Sequence, residues 1–401
     1  MGLDVERVRA LFPALESGTA FFDGPGGSQT PRPVAEAIAA TMTAGLSNRG
    51  TMTASERAAD DVVHGARAAV ADLLGADPGG VVFGRSMTAL TFDLARSLSR
   101  EWEPGDEVVV TRLDHDANIR PWTTAAERAG ATVRWVDFDP ATGELQLVPG
   151  VLSERTRLVA VTGASNLLGT RPAVAAIGEA VHDVGALLFV DGVHLTPHAP
   201  VDVVGLGADF YACSPYKFFG PHLGTVVAAP ALWATVRPDK LLPSTDAVPE
   251  RFELGTLPYE VLAGVSACVD VIAGLAPAEE AGTRRERVLS SMSAVEASED
   301  ALFERLLAGL RSVDGVRLVG SPVHRTPTAL LQVEGVASSV VYEQLALRGV
   351  NAPASSFYAL EASRWLGLGD TGAVRAGLAP YTSQDDVDRL VTGVAEIAAA
   401  R

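Results

Sequence analysis

The sequence predicts an α/β protein in which a large domain has a mostly parallel, seven-stranded sheet and a smaller α+β domain follows. Between about residue 80 and residue 230, short β-rich runs alternate with helical stretches, as in parallel strands joined by helices. The runs are apolar without strict alternation, which indicates strands covered on both faces. Beyond residue 257, long helical patterns precede a second set of strands.

The elements of the large sheet follow in chain order. Residues 4–12 form an amphipathic pattern that predicts a short helix ahead of the main fold. Helical stretches such as Ala117–Ala129 and Ala173–Val184 separate most of the strands. The predicted strands are Val81–Phe83, Glu107–Thr111, Thr132–Val136, Leu158–Thr162, Ala186–Asp191, Asp209–Cys213 and Gly224–Ala228.

The rest of the chain predicts a separate, smaller unit. Residues 257–312 have the pattern of long helices that expose Arg and Glu side chains. The later strands and helices are predicted at Val316–Val319, Leu330–Val333 and Ala373–Gly377, and at 339–348 and 384–399.

The domain division follows from the turns that interrupt these patterns. Turns containing Pro and Gly near 237–258 mark the junction between the two units. We therefore expect an N-terminal helical arm at 1–17, a large domain at 18–260 and a small C-terminal domain at 261–401, against which the N-terminal segment can pack.

Composition excludes several classes of function. The net charge of −17 argues against nucleic acid or an anionic membrane as the main partner. Two cysteines, Cys213 and Cys268, are too few for a disulfide framework or a cysteine-rich metal site, and we predict no metal. The chain has no basic segment followed by an apolar one at its start and no run of about 18 apolar residues. We therefore expect a soluble, cytoplasmic protein.

Lysine usage points to one residue. Lys and Arg together number 32, and only Lys217 and Lys240 are lysines. Lys, unlike Arg, becomes a nucleophilic amine when it is desolvated. Lys217 stands beside aromatic residues in S-P-Y-K-F-F-G, which makes it the candidate amine for the aldehyde of pyridoxal phosphate, whereas Lys240 lies in a polar turn. The alternative for Lys217 is a side chain that packs its aliphatic part on the aromatic rings.

Two further residues follow predicted strands and suit the same cofactor. Asp191 ends the run A-L-L-F-V-D, where a carboxylate can keep the pyridine nitrogen protonated. The alternative is a helix N-cap, and the lysine one strand further favours the cofactor role. His115 follows the run E-V-V-V-T, so its ring can stack on a flat cofactor, although it can also be a capping or core histidine.

The anionic groups of cofactor and substrate also have candidate partners. The segment R-S-M-T-A opens a helix after a strand, so backbone N–H groups at Met87 and the Thr88 side chain can face a phosphate, or simply cap the helix. Ser214 and Tyr216 flank the lysine as further donors. Arg375 is a lone cation in an apolar strand, where a substrate carboxylate or a structural acid can pair with it.

Together these motifs resemble the class V aminotransferase family, which has pyridoxal phosphate (PLP) fold type I, and within it the cysteine desulfurase-like proteins. The resemblance runs from F-F-D-G-P-G-G-S-Q near the N-terminus to R-A-G-L-A-P-Y near the end. It is closest to a subgroup with F-D-G-P-G-G, R-L-D-H-D-A-N and A-S-N-x-x-G-T. It implies a PLP enzyme in which Lys217 binds the aldehyde, Asp191 the ring nitrogen and Arg375 the substrate α-carboxylate. A nucleotide-dependent oxidoreductase does not fit, because G-P-G-G lacks the G-x-G-x-x-G spacing.

The resemblance implies further contacts. Asn166 and His194 would bind the ring hydroxyl, although the family often has Gln at the second place. Thr88, Ser214 and Tyr216 would bind the phosphate, Tyr216 standing where the family usually has His. In G-T-L-P, Thr256 resembles the residue that reaches the phosphate of the neighbouring subunit, which implies a homodimer with shared active sites.

One departure from the family concerns sulfur. Cysteine desulfurases carry a nucleophilic cysteine on a mobile loop, and the corresponding stretch here, Asn351–Leu360, has Ser355 and Ser356 but no Cys. A serine hydroxyl is a poor sulfur acceptor, because the reactive group is a thiolate. We predict that Cys213 and Cys268 are buried, so we do not expect persulfide transfer.

The reaction expected first is therefore C–S (β) lysis of a small, cysteine-derived L-amino acid without persulfide transfer. A class V aminotransferase or an amino-acid epimerase in specialised metabolism is the alternative, since both share the first step. A non-catalytic PLP-binding protein is the alternative of another class, and its spectrum would not respond to amino acids. We expect substrate choice to depend on Ser355, Ser356, Phe357, Tyr358 and the segment Ser47–Thr53.

Overall fold

The computed structural model describes residues 2–146, 148–276 and 282–400. Its α-helices are α1 (Val5–Arg9), α2 (Arg32–Met42), α3 (Ala54–Leu74), α4 (Met87–Leu98), α5 (Arg120–Ala129), α6 (Val174–Asp183), α7 (Pro230–Thr235), α8 (Tyr259–Ala273), α9 (Arg284–Arg311), α10 (Ser338–Ala346), α11 (Leu360–Trp365) and α12 (Gln384–Ala399). Its strands are β1 (Ala20–Phe21), β2 (Val81–Gly84), β3 (Glu107–Thr111), β4 (Thr132–Val136), β5 (Thr156–Thr162), β6 (Leu187–Asp191), β7 (Phe210–Cys213), β8 (Gly224–Val227), β9 (Val316–Leu318), β10 (Thr328–Val333), β11 (Val350–Asn351), β12 (Ala354–Ser355) and β13 (Ala373–Gly377).

Within the described ranges, the large sheet has seven strands in the order β2-β8-β7-β6-β5-β3-β4. Neighbours from β7 through β6, β5 and β3 to β4 are parallel, and β8 is antiparallel to both β7 and β2. The predicted fold class is confirmed, and each of the seven predicted strands agrees with the structure to within two residues.

Side chains of the large sheet alternate between two hydrophobic cores. In β6, Leu188 and Val190 lie in a core that includes residues of α3, α6 and α8, whereas Phe189 lies in a core with residues of α4, α5 and α7. Each such buried side chain contributes about 1.5–3 kcal/mol relative to exposure. The apolar runs without alternation arise because both faces of each strand are covered.

The parallel strands bring their carboxyl ends to one edge. In the registered rows of β5, β6 and β7, Thr162 lies beside Asp191, and Asp191 beside Ala212. His115 lies in the segment after β3, Asn166 in the segment after β5 and Lys217 in the segment after β7. Ligands of open α/β sheets bind at this edge, so the topology alone assembles a site there.

The C-terminal part has a four-stranded antiparallel sheet of order β12-β13-β10-β9, with α9, α10 and α12 in its core. The N-terminal strand β1 pairs in parallel with β11, Ala20 beside Val350, so the start of the chain packs against this part. Helix α8 packs against the core that also holds α2 and α3. The division at residue 260 stays a proposal; it falls within α8, most of whose residues it assigns to the small domain although the helix packs on the core of the large part.

Short elements differ from the sequence expectation. The helix predicted at Ala117–Ala129 begins as a 3-10 turn at Asp116–Asn118, and α5 starts at Arg120 with Pro121 in its first turn, where proline's missing N–H costs nothing. The helix predicted within residues 4–12 is present as α1. Across the described ranges, no helix is both long and apolar enough to cross a membrane.

Candidate active site

A cleft of about 740 Å³ lies at the carboxyl ends of the large sheet and is closed on one side by the C-terminal part. Thr256 lies outside it, in a neighbouring cavity of about 800 Å³, and neither Ser356 nor the segment at 47–53 lines the cleft. The predicted residues that do line it are Met87, Thr88, His115, Asn166, Asp191, His194, Ser214, Tyr216, Lys217, Ser355, Phe357, Tyr358 and Arg375.

Lys217 ends a 3-10 turn, Pro215–Lys217, that follows β7. Its Nζ donates a hydrogen bond to the carbonyl oxygen of Pro25 at 2.6 Å and lies 4.9 Å from the centre of the Tyr216 ring. Burial lowers the pKa of Lys217 to about 7, with the charge of Arg375 acting in the same direction and that of Asp191 opposing it. A large fraction of the amine is therefore neutral at pH 7 and able to react with an aldehyde.

Asp191 is buried at the end of β6. Its Oδ1 accepts a hydrogen bond from the backbone N–H of Val193 at 2.9 Å. Burial raises the pKa of Asp191 to about 6, while the Val193 N–H and the Lys217 charge act in the opposite direction. A cationic ring nitrogen next to this carboxyl would favour its ionised form.

His115 both caps the turn after it and lines the cleft, so the two interpretations of this residue coexist. Its Nδ1 accepts a hydrogen bond from the Ala117 N–H at 3.0 Å. Burial lowers the pKa of His115 to about 4, assisted by the charges of Lys217 and Arg375, so the imidazole is neutral. With Nδ1 an acceptor, we assign the proton to Nε2.

A buried polar network supports the His115 segment and was not anticipated from the sequence. The carboxylate of Asp114 accepts hydrogen bonds from the Thr111 hydroxyl and from Asn118 Nδ2, the latter at 2.7 Å. Asn118 Oδ1 in turn accepts from Trp122 Nε1 at 3.1 Å. Burial raises the pKa of Asp114 to about 8, and the charge of Asp191 adds to this. In the sequence, the only sign of this network is the pair of polar residues Asp114 and Asn118 on either side of His115 in L-D-H-D-A-N.

Unpaired polar atoms test whether the cleft fits PLP. Within the described residues, Asn166 Oδ1 and His194 Nδ1 are buried and have no hydrogen-bond partner. His194 Nε2 is held at 2.9 Å from the Thr328 hydroxyl, and burial lowers the pKa of His194, so its ring is neutral. Free polar atoms in a buried site require a ligand or water, and a ring hydroxyl fits this pair.

The opposite end of the cleft suits a phosphate. Ser86 is the N-cap of α4 in an extended conformation, and its hydroxyl accepts a hydrogen bond from the Ala89 N–H at 3.1 Å. Ser86, Met87 and Thr88, at the start of this helix, line the cleft together with Ser214 and Tyr216, and helix N-termini favour anions. The residues present therefore fit the cofactor at its aldehyde, ring and phosphate.

The G-P-G-G segment packs against three site residues, a role that the sequence had not indicated. Pro25 supplies the carbonyl that holds Lys217, and an added side chain at Gly27 would contact the Tyr216 ring at 3.4 Å. At Gly26 it would approach Arg375 Nη2 to 3.4 Å. At Gly26 it would also lie 3.1 Å from the backbone oxygen of Asp23, so this turn leaves little room for a side chain.

Arg375 is buried in the middle of β13. Its Nη1 donates to the backbone oxygen of Asn166 at 2.8 Å, and in the described residues Nε has no partner. Burial lowers the pKa of Arg375 and the negative charge of Asp23 opposes the shift, but these two side chains form no ion pair in the described part of the chain. Because Arg375 lines the cleft and its buried Nε has unused hydrogen-bonding capacity in the described residues, the guanidinium suits a carboxylate bound there.

Both cysteines are buried, as predicted, and neither lines the cleft. Burial raises the pKa of each thiol, and Cys268 Sγ donates to the Phe218 carbonyl oxygen at 2.7 Å. In the stretch Asn351–Leu360, which the sequence resemblance matches to the family's cysteine loop, Ser355, Phe357 and Tyr358 line the cleft. In the described part of the cleft wall there is thus no thiol to accept sulfur.

Comparison with known proteins points to one family. A family model described as Aminotransferase class-V matches residues 20–390. The chain is 37% identical to the uncharacterized protein MT3887 of Mycobacterium tuberculosis over 99% of this chain and 100% of that protein. It is 33% identical to a probable cysteine desulfurase of Pseudomonas aeruginosa over 95% of each chain. The cysteine desulfurase CsdA of Escherichia coli superposes with a TM-score of 0.86 at 26% identity, covering 99% of this chain and 98% of its own.

Proposed function

The chain belongs to the class V aminotransferase family and is a PLP-dependent enzyme. We propose that this enzyme cleaves the Cβ–S bond of a small, cysteine-derived L-amino acid without transferring the sulfur to one of its own cysteine residues. The observation that carries the proposal is a cleft that fits the cofactor and has Ser355, Phe357 and Tyr358 in its wall, while both thiols are buried and lie outside it.

The cofactor roles are assigned from the contacts of each side chain. When bound, PLP withdraws electrons from the substrate Cα, which makes the Cα proton acidic. Asp191 would hold the proton on the ring nitrogen, and the imidazole of His115 would lie against the ring. Asn166 and His194 would bind the ring hydroxyl through the buried atoms that lack partners in the described residues.

The substrate is oriented by its carboxylate. We assign this group to the Nε and Nη2 edge of Arg375, because Nη1 is already bonded to Asn166. Two parallel N–H groups bind a carboxylate in one orientation, which directs the substrate Cα toward Lys217.

Lys217 moves the proton. Its neutral amine takes the proton from Cα, and the C–S bond then breaks with both electrons leaving on sulfur, which takes up a proton as a thiol. With one water consumed, an S-substituted cysteine yields the thiol, pyruvate and ammonium, so atoms and charge balance. The lowered pKa of Lys217 keeps a neutral base available near pH 7.

The alternatives begin with the same proton removal. Transamination or epimerisation of a small amino acid needs the same base, acid and carboxylate partner, and differs only in the fate of the electrons and proton. A non-catalytic PLP-binding protein is disfavoured, because a desolvated lysine and an open arginine edge line the same cleft.

A cysteine-free protein tests the sulfur claim. The double variant Cys213→Ala with Cys268→Ala should retain kcat/KM for C–S cleavage within about threefold, since neither thiol touches the cleft. Loss of two buried sulfurs should lower stability by about 1–2 kcal/mol, which thermal unfolding measures separately. A collapse of sulfur release in the folded double variant would show that one of the thiols is the acceptor.

We also propose a homodimer with shared active sites. The cavity that holds Thr256 adjoins the phosphate end of the cleft, and Phe92 lines both. Its rim includes Leu254, which is 62% exposed in the single chain. Covering this apolar rim with a second copy would place Thr256 of one subunit near the phosphate of the other.

A further inference from the structure

The loop within Asn351–Leu360 has an unusual backbone at Phe357 and Tyr358. Phe357 and Tyr358 are consecutive non-glycine residues in the left-handed region, with φ of 53° and 56°. Aromatic residues rarely adopt this conformation, because Cβ crowds the following carbonyl oxygen. The surrounding structure must therefore hold the loop in place, and such conformations concentrate at functional sites.

Two hydrogen bonds from the large part of the molecule hold the loop. Asn166 Nδ2 donates to the backbone oxygen of Phe357 at 2.9 Å, and the N–H of Asp116 donates to the backbone oxygen of Tyr358 at 2.7 Å. Both donors belong to segments that follow strands of the large sheet. The loop is thus tied to the edge where the cofactor residues lie.

The loop that adopts this backbone conformation also carries the Phe357 ring that contacts Arg375. The ring of Phe357 covers one face of the Arg375 guanidinium, with Cζ 3.6 Å from the ring centre. Asn166 contacts both partners, since its backbone oxygen accepts from Arg375 Nη1 at 2.8 Å while its side chain holds the Phe357 carbonyl. One face and one corner of the guanidinium are therefore fixed, and among the described residues its buried Nε has no partner.

We propose that Phe357 is a positioning residue that fixes Arg375 for the α-carboxylate of an amino-acid substrate and shields the guanidinium from water. The proposal rests on the assignment of the α-carboxylate to Arg375. A planar cation stacked on a ring has fewer water molecules to lose and a set orientation, so a bidentate carboxylate binds it more tightly. Phe357 therefore selects amino acids over amines without touching the reacting atoms.

The chain offers closely matched variants. Phe357→Gly removes the ring and suits the left-handed backbone, so the loop keeps its path. Phe357→Tyr keeps the ring face.

The experiment compares two ligands on the cofactor-loaded protein. L-alanine and ethylamine share an amine, and only L-alanine has a carboxylate. Each is titrated while the cofactor absorbance is followed. We expect Phe357→Gly to raise the Kd of L-alanine roughly tenfold and to leave that of ethylamine within about twofold. Phe357→Tyr should restore the wild-type value.

Arg375→Gln distinguishes a failure of the positioning role of Phe357 from a failure of the carboxylate assignment to Arg375. If Arg375→Gln weakens L-alanine and Phe357→Gly does not, the positioning role is wrong while the carboxylate assignment stands. If Arg375→Gln has no effect on L-alanine, the carboxylate assignment itself fails. Equal weakening of both ligands by Phe357→Gly would also overturn the proposal, because a general disturbance of the cleft does not discriminate by carboxylate.

Discussion

The Lys217 amine lies in surroundings that disfavour its charged form. Burial and the nearby Arg375 cation lower the pKa of Lys217 to about 7, and Asp191 only partly offsets them. Because the pKa lies below the ordinary value of about 10.4, the reactive neutral amine increases as pH rises through 7.

This shift predicts the pH dependence of cofactor attachment. When cofactor-free protein is mixed with PLP, the rate of covalent attachment should rise from pH 6, reach half its maximum near pH 7 and level off above about pH 8. Stopped-flow absorbance measures the rate, and a Lys240→Ala protein serves as the lysine control. A rate that keeps climbing to pH 10 would mean that the amine is solvated.

The site could be predicted in part because strand ends are visible in the sequence. Asp191, His115 and Lys217 each follow an apolar run, and parallel topology brings such ends together. The Pro25 carbonyl that holds Lys217 comes from a distant segment, so no local pattern indicates it. The left-handed conformation of Phe357 depends on tertiary hydrogen bonds, which secondary-structure propensities do not predict.

At the scale of elements, the phosphate end depends on the close approach of β8 to the start of α4. A Cβ on Gly224 would lie 2.0 Å from the carbonyl carbon of Ser86 and 2.1 Å from the Met87 nitrogen. The strand can pass this helix terminus only because Gly224 has no side chain. The neighbouring strand thereby sets the position of the helix start that we propose binds the phosphate.

Gly224→Ala should therefore displace the start of α4 and weaken PLP binding by roughly tenfold or more. Quenching of protein fluorescence by the cofactor gives the Kd. The matched control is Gly65→Ala in α3, where the nearest atom, Ser266 Oγ, is 3.9 Å away, and where alanine should add up to about 1 kcal/mol of helix stability. Equal cofactor affinity in the two variants would contradict this account of the phosphate site.

The long elements were predictable and the short ones were not. The strands of the large sheet are continuous apolar runs, so their positions follow from composition. Strands β1, β11 and β12 have two residues each and form only through pairing with distant segments. The start of α5 was misplaced because the residues before Pro121 form a separate 3-10 turn.

At the scale of the whole molecule, two parts of the chain meet at the cleft. The large sheet supplies the cofactor residues, and the C-terminal part supplies Arg375 and the Phe357 loop. The fold class was predictable from strand–helix alternation. The way the loop closes the cleft was not, because it depends on contacts between segments far apart in the sequence.

The proposed dimer predicts a solution mass of about twice 41.7 kDa. If the sites are shared, Thr256→Ala should weaken PLP binding although Thr256 lies outside the cleft of its own chain. Mixing Thr256→Ala with Lys217→Ala protein should restore up to about a quarter of the wild-type sites, because each mixed dimer has one intact site. Light scattering and activity at limiting cofactor measure the two effects, and a monomer with no complementation would rule the arrangement out.

Product analysis distinguishes C–S lysis without a protein persulfide from desulfuration and from transamination. The PLP-loaded protein is incubated separately with L-cysteine, with cysteine sulfinate and with a bulky S-substituted cysteine, with Lys217→Ala protein as the blank. We predict pyruvate, ammonium and a free thiol in equal amounts from the S-substituted cysteine. Alanine from L-cysteine, together with sulfur bound to the protein, would contradict the account, and so would a 2-oxo acid that keeps its sulfur.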